Sequence, residues 1–278
     1  METLKTLLLG IIQGLTEFLP VSSSGHLILA QTFLGVTDPH EAGASAMLLE
    51  VVLHVATGIA VLYVFRKDIM GIITGCVSKD AILRKESLTY SGWVILATIP
   101  AAFVGIFFKG YINPLFDTTQ GPGAAYLASF MLFVTATLLF LSSIKKTDTD
   151  GKLTLLRVLA IGIMQAIAIT PGISRSGSTI AVALLVGVSR TEAGRFSFML
   201  ALPAIFGAAL LESRYIESWG ALLSINMIAG FIASFAVGIV ALKFLLAFIK
   251  KGKLHYFGYY CAAAGVVSLV CLTLGFGG

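Results

Sequence analysis

Charge is what this chain has little of. Only 12% of its 278 residues are Asp, Glu, Lys or Arg, against about a quarter in an ordinary soluble domain. So few charges cannot cover a water-facing surface, which excludes a conventional soluble fold. Cysteine is scarce too. Cys76, Cys261 and Cys271 form an odd, scattered set without ligand spacing, so neither a disulfide framework nor a thiolate metal centre is indicated. Cys261 and Cys271, in the last apolar segment, read as small core residues. The basic residues form no continuous stripe with interleaved aromatics, which argues against nucleic acid as a partner despite a pI near 9.1. A removable signal is not indicated either: apolar residues 7–12 run into Gln13 and Glu17 with no small-residue cleavage pattern.

What is present comes in long apolar runs. Hydrophobic residues make up 57% of the chain and the mean hydropathy is +0.95. Residues 123–144 contain no charge at all, a run longer than the roughly 20 residues that cross a hydrocarbon core. Length and helix breakers predict spans near 46–65, 92–109, 123–144, 195–211, 221–249 and 256–276. Basic residues cluster between them: Arg66, Lys67, Lys79, Arg84 and Lys85, then Lys145, Lys146, Lys152 and Arg157, then Lys250, Lys251 and Lys253. Placing the loops 66–91, 145–157 and 250–255 in the cytoplasm satisfies the positive-inside rule and makes the six spans alternate.

Two stretches remain, about 3–35 and 155–190. Each is apolar at both ends and broken in the middle by Pro, Gly and a hydroxyl cluster. Such a centre cannot face lipid, because freed backbone groups there go unsatisfied. Both are therefore expected to be re-entrant helix–loop–helix hairpins. They also resemble each other at one offset of 152 residues, which carries Gly10 to Gly162. Gly10-Ile11-Ile12-Gln13 lies on Gly162-Ile163-Met164-Gln165, and Val21-Ser22-Ser23-Ser24-Gly25 lies on Ile173-Ser174-Arg175-Ser176-Gly177. The expected fold is an all-α integral membrane protein with about six transmembrane helices and two hairpins. It forms one membrane domain of two halves, about 1–150 and 151–278. A hairpin plus three spans inverts the second half, so the two polar tips meet near the midplane, where such repeats place substrate sites.

The first tip carries Gln13, Glu17, Pro20, Ser22, Ser23, Ser24 and His26. Gln13 and Glu17 share one helix face at i, i+4. Pro20 ends that helix, and the serines open the next, with His26 one turn in. Ionisable residues at membrane depth default to function, although a polar clamp holding the hairpin is the plainer alternative, above all for Gln13. The second tip carries Ser174, Arg175, Ser176, Ser178 and Thr179 around a helix start. Free N–H groups there favour an anion, and an arginine fork suits phosphate oxygens. An Arg175–Glu17 pair serving stability alone is the bland reading. Together the tips hold what phosphate hydrolysis needs: Arg175 and hydroxyls to stabilise phosphoryl charge, and a Ser, a His or an activated water to attack phosphorus. Glu17 could orient His26, hold a divalent cation, or do both. Elsewhere, Glu50 is a weaker candidate neighbour of the site and His54 a core histidine. His40 and His255 read as loop residues, and Arg190, Arg195 and Lys243 as side chains reaching the cytoplasmic interface.

These motifs resemble the undecaprenyl-diphosphate phosphatase family associated with bacitracin resistance. The first match is [E/Q]-x-x-x-E followed by P-V-S-S-[ST]-G-H, here Gln13 to His26. The second is P-G-x-S-R-S-x-x-T, here Pro171 to Thr179. The segments Glu50–Leu53, Gly187–Arg190 and Ser197–Pro203 are similar as well. The resemblance implies an inner-membrane hydrolase of undecaprenyl diphosphate that recycles the lipid carrier of cell-wall synthesis. It further implies dependence on a divalent cation (Mg²⁺ or Ca²⁺) and a site opening to the extracytoplasmic side. By motif position Glu17, Ser23, His26 and Arg175 are the catalytic candidates, with Glu17 also a metal-ligand candidate. Gln13, Ser22, Ser174, Ser176 and Thr179 are the substrate-binding candidates. Gln13 stands where many members carry Glu, so it cannot serve as a base. The expected partners are a polyprenyl diphosphate lipid and the bilayer; a homodimer is compatible with the reading. The rival from another class is a transporter or flippase of polyprenyl phosphate on the same frame.

Overall fold

The computed structural model describes residues 2–34, 44–112, 114, 122–144, 151–216, 220 and 222–276. It is helical, with no strand among the described residues. The helices are α1 (Glu2–Thr16), α2 (Ser23–Leu34), α3 (Ala44–Val64), α4 (Arg66–Cys76), α5 (Ala81–Phe107), α6 (Lys109–Ile112), α7 (Gly123–Ile144), α8 (Leu155–Ile167), α9 (Arg175–Leu185), α10 (Arg190–Glu212), α11 (Ile225–Lys250) and α12 (His255–Thr273). Five of them, α5, α7, α10, α11 and α12, are long and apolar enough to cross a membrane. The count becomes six if α3 and α4, bent by 72°, form one span. Large apolar side chains such as Ile106, Phe107, Leu210 and Val240 lie more than half exposed on the helix surfaces. Water would penalise that surface and lipid does not. The chain is a multi-pass membrane protein.

Helix starts follow local chemistry. Asp80 caps α5, accepting from Ile82 N at 2.9 Å and Leu83 N at 3.3 Å. Ser189 caps α10 and Ser224 caps α11, each accepting from a backbone N–H three residues on. These caps correct one expectation. The basic stretch 66–91 is helical through α4 and the first turns of α5, and the span expected at 92–109 starts eleven residues earlier, at Ala81. Charge density there marks the ends of helices rather than a loop. His255, expected in a loop, opens α12 instead. Arg195 forms ion pairs, its Nε 2.8 Å from Asp68 Oδ1 and its Nη1 3.6 Å from Glu192 Oε2, and its guanidinium lies over the Tyr90 ring. That contact ties α4 and α5 to α10. Lys145, Lys146 and His40 lie outside the described residues.

The short helices are seated by glycines. Gly10 and Gly14 of α1 lie against Gly230 and Ser234 of α11, so closely that a Cβ at either would strike a backbone oxygen. Gly162 of α8 meets Ala97 of α5 in the same way, and Gly105 of α5 meets Ile169. Both pairs run in the same direction along the chain. The first short helix thus leans on a helix of the C-terminal half, and α8 on a helix of the N-terminal half. The main core lies between, with Phe18, Phe65, Phe196 and Phe198 buried beneath the first turn.

Candidate functional site

Two turns meet at the centre. In the first, α1 ends at Thr16, residues 17–22 reverse the chain, and α2 starts at Ser23. Ser22 takes a left-handed φ of +66°. Its hydroxyl accepts from Gly25 N at 3.2 Å and lies 3.5 Å from Ser24 Oγ. In the second, Gly172 makes the left-handed turn at φ +90°, and Ser174 caps α9 by accepting from Gly177 N at 3.2 Å. Thr135 of α7 braces this turn, donating to the Gly172 carbonyl at 3.1 Å and accepting from Ser174 N at 3.0 Å. The turns interlock through glycine. A Cβ on Gly25 would stand 2.8 Å from Gly172 Cα, and one on Gly177 would stand 2.8 Å from Pro20 Cβ. Each tip's glycine therefore rests on the other tip's turn.

One ion pair joins the tips. Arg175 Nη2 donates to Glu17 Oε1 in a very close contact, with the side chains only 18% and 10% exposed. The remaining Glu17 oxygen accepts from Gln13 Nε2 at 3.2 Å. Arg175 Nη1 is buried and has no hydrogen-bond partner among the described residues. A buried guanidinium donor left unpaired costs of the order of 1–3 kcal/mol or more, so the structure keeps a cationic donor waiting for an acceptor. Ser176 Oγ lies 3.3 Å from Ser174 Oγ and 3.5 Å from the Leu19 carbonyl. Both hydroxyls line the start of α9, where free N–H groups add positive potential.

His26 is held at both nitrogens. Its Nδ1 lies 2.8 Å from the Ser22 carbonyl, and its Nε2 lies 2.9 Å from the Tyr260 hydroxyl of α12. Ser23 is half-buried, and its hydroxyl has no hydrogen-bond partner among the described residues. Among the residues expected at the site, Gln13, Glu17 and Arg175 form one bonded set, with Ser174 and Ser176 beside it, while Ser22 and His26 form another around the first turn. Thr179 stands apart. It is fully buried, and its hydroxyl donates back to the Arg175 carbonyl at 2.8 Å, so it braces the helix start. His54 bonds through Nδ1 to the Glu50 carbonyl at 2.9 Å, within α3. Two lateral apolar grooves of about 470 Å³ each flank α10, and neither is lined by a tip residue. Tyr260 is the site neighbour that sequence reasoning missed.

The geometry can be set beside known proteins. The family model described as bacitracin resistance protein BacA matches residues 6–267. The chain belongs to the BacA family. BacA-family relatives similar to it over their full length include an undecaprenyl-diphosphatase of Christiangramia forsetii, 40% identical over 271 residues (97% of this chain, 98% of the relative). One of Methanobrevibacter smithii is 40% identical over 280 residues, 96% of each chain. One of Bacteroides thetaiotaomicron is 37% identical over 274 residues (97% and 99%). Both motif-bearing turns fall inside the BacA match. Among the described residues no group of three His, Cys, Asp or Glu could cage a metal, so a cation at this BacA site would depend on other oxygen donors.

Proposed function

We infer that this chain is a membrane-embedded phosphatase that hydrolyses undecaprenyl diphosphate to undecaprenyl phosphate and inorganic phosphate. It thereby returns the lipid carrier to cell-wall synthesis and confers bacitracin resistance. The observation that carries the reading is the cross-tip pair: Arg175 is fixed by Glu17 through one nitrogen and offers a second, buried and unpaired, to an anion. Arg175, the hydroxyls of Ser174 and Ser176 and the start of α9 hold the phosphoryl group and stabilise its charge as the bridging bond breaks. The first tip would contribute Ser23, whose hydroxyl has no hydrogen-bond partner among the described residues, and His26, whose tautomer leaves Nε2 as the base. The attacking oxygen belongs to Ser23 or to a water, or His26 attacks directly. Substitution of Ser23 separates the routes.

Glu17 is the candidate ligand for a divalent cation. Its Oε1 takes Arg175 Nη2 and its Oε2 takes Gln13 Nε2, so a cation there would displace one of these donors. Mg²⁺ is commonly held by one or two carboxylates together with substrate phosphates, whereas Ca²⁺ takes about six to eight oxygen ligands. An ion held there would supply positive charge to the diphosphate oxygens.

The two broken helix pairs, α1–α2 and α8–α9, are read as re-entrant hairpins of an inverted repeat. The offset between the tips, the reciprocal seating of α1 on α11 and α8 on α5, and the exchanged glycine contacts support it. On this reading the chain is one membrane domain of two halves in a bacterial inner membrane, and the first hairpin enters from the extracytoplasmic side. A transporter or flippase on the same frame is the weaker reading, because the relatives bear a phosphatase name and anion binding alone needs neither His26 nor Ser23.

The test is phosphate release from undecaprenyl diphosphate by purified protein in detergent, where hydrolysis proceeds and transport has no meaning. Arg175→Ala and His26→Ala abolish release while folding persists. Wild-type turnover in both would sink the mechanism.

A further inference from the structure

Tyr260 lies in an apolar span beside Tyr256 and Tyr259, and nothing in its local sequence sets it apart. Its surroundings do. The hydroxyl stands 2.9 Å from His26 Nε2, and the two rings are nearly parallel, 11° apart with centroids at 5.5 Å. On the ring's other side Nδ1 is 2.8 Å from the Ser22 carbonyl. A carbonyl oxygen only accepts, so Nδ1 carries the proton. The neutral imidazole then has a single lone pair, on Nε2, and the Tyr260 O–H donates to it. The next residue reinforces the contact: Cys261 is fully buried and directs its thiol to the Pro20 carbonyl at 3.5 Å. Two consecutive residues of α12 thus fasten the first turn, one at its proline and one at its histidine.

The plain alternative is a membrane tyrosine whose hydroxyl takes the nearest polar atom. That account predicts any convenient carbonyl. The atom taken here is the one imidazole nitrogen of the first tip able to receive a proton.

We propose that Tyr260 is a positioning residue for His26: its O–H grips Nε2, so that one tautomer and one ring orientation face the diphosphate. The inference rests on His26 being the site's base. In turnover the O–H of the nucleophile takes the Nε2 lone pair while the Tyr260 hydroxyl turns its oxygen to the ring and accepts from Nε2–H as the imidazolium forms, so the contact is stronger in the charged state than at rest. The bond from the nucleophile oxygen to the terminal phosphorus forms and the bridging P–O bond breaks. The nucleophile's proton passes to Nε2, and His26 returns it to the departing undecaprenyl phosphate or to solvent. With water as nucleophile inorganic phosphate leaves directly; with Ser23, a water deprotonated at Nε2 then splits the phosphoserine, freeing inorganic phosphate and the serine hydroxyl.

Tyr260→Phe keeps the ring and removes only the hydroxyl. With full-length protein in detergent and undecaprenyl diphosphate as substrate, kcat falls roughly tenfold while KM stays within about twofold, the loss expected for one hydrogen bond that orients a reacting group. Carbethoxylation of His26 by diethyl pyrocarbonate, followed by mass spectrometry, becomes several-fold faster in Tyr260→Phe, because Nε2 is uncapped. The rate at His255, on the same helix but outside the site, does not change. An unchanged kcat, or an unchanged rate at His26, overturns the proposal. A fall confined to KM does so too, since it would make Tyr260 a substrate contact. Failure of the underlying reading looks different: His26→Ala then retains turnover whatever Tyr260→Phe does.

Discussion

The two tips share a frame and divide the chemistry. Offset by 152 residues, Ser22 corresponds to Ser174, Gly25 to Gly177 and Gln13 to Gln165, but Ser23 stands where the second tip has Arg175, and Ile169 stands where the first has Glu17. The first tip therefore holds the carboxylate and the imidazole, and the second holds a permanent cation. Their glutamines show the same divergence. Gln13 has a carboxylate one turn on and bonds to it, whereas Gln165 has Ile169 there and is 2% exposed, with neither amide atom paired among the described residues. The two tips keep matched packing glycines, Gly25 and Gly177, and differ at the positions that the proposed mechanism uses.

Substitutions that blur the division have the largest effect. Arg175→Lys keeps the charge but loses the fork that grips Glu17 and an anion together, and phosphate release drops roughly a hundredfold; near-normal activity would show that the second tip contributes only charge. Ser23→Ala is expected to cost about as much if its hydroxyl attacks phosphorus. Ser176→Ala, whose hydroxyl already has partners in the fold, costs roughly tenfold or less. Equal losses would erase the distinction between a reacting and a binding serine.

Smaller effects sharpen the structural half of the comparison. Gly25→Ala and Gly177→Ala each press a methyl into the opposite turn at 2.8 Å and lower stability by about 1–3 kcal/mol, read as a fall in thermal midpoint in detergent. A loss in only one of them would mean that the tips do not interlock reciprocally. Gln165→Leu replaces an unpaired buried amide with an apolar side chain of similar size and is neutral or slightly stabilising, with activity retained. A marked loss of activity would instead give Gln165 a share in the site.

Much of this site is written locally. The hydroxyl clusters, the prolines and the offset mark both turns, and helices do start at Ser23 and Arg175. The region 66–91 was legible in composition but not in structure, because its charges follow the positive-inside rule whether they sit on a loop or on helix ends. Asp68, Glu192 and Arg195 find one another only once α4 folds back at Phe65. Tyr260 was not legible at all. Its partner is 234 residues away, and a tyrosine in an apolar span has many ordinary reasons to be there.

The crossed seating of the short helices has a consequence for how the protein is made. The helix bearing Gln13, among the first residues translated, rests on α11, which begins at Ile225. The first turn is clasped from α12, later still. During synthesis the N-terminal half thus enters the bilayer with its reactive tip unsupported, and it waits for nearly the whole chain before the site can close. Any product truncated ahead of α11 carries Glu17, Ser23, His26 and Arg175 but lacks the two helices that seat and clasp the first turn.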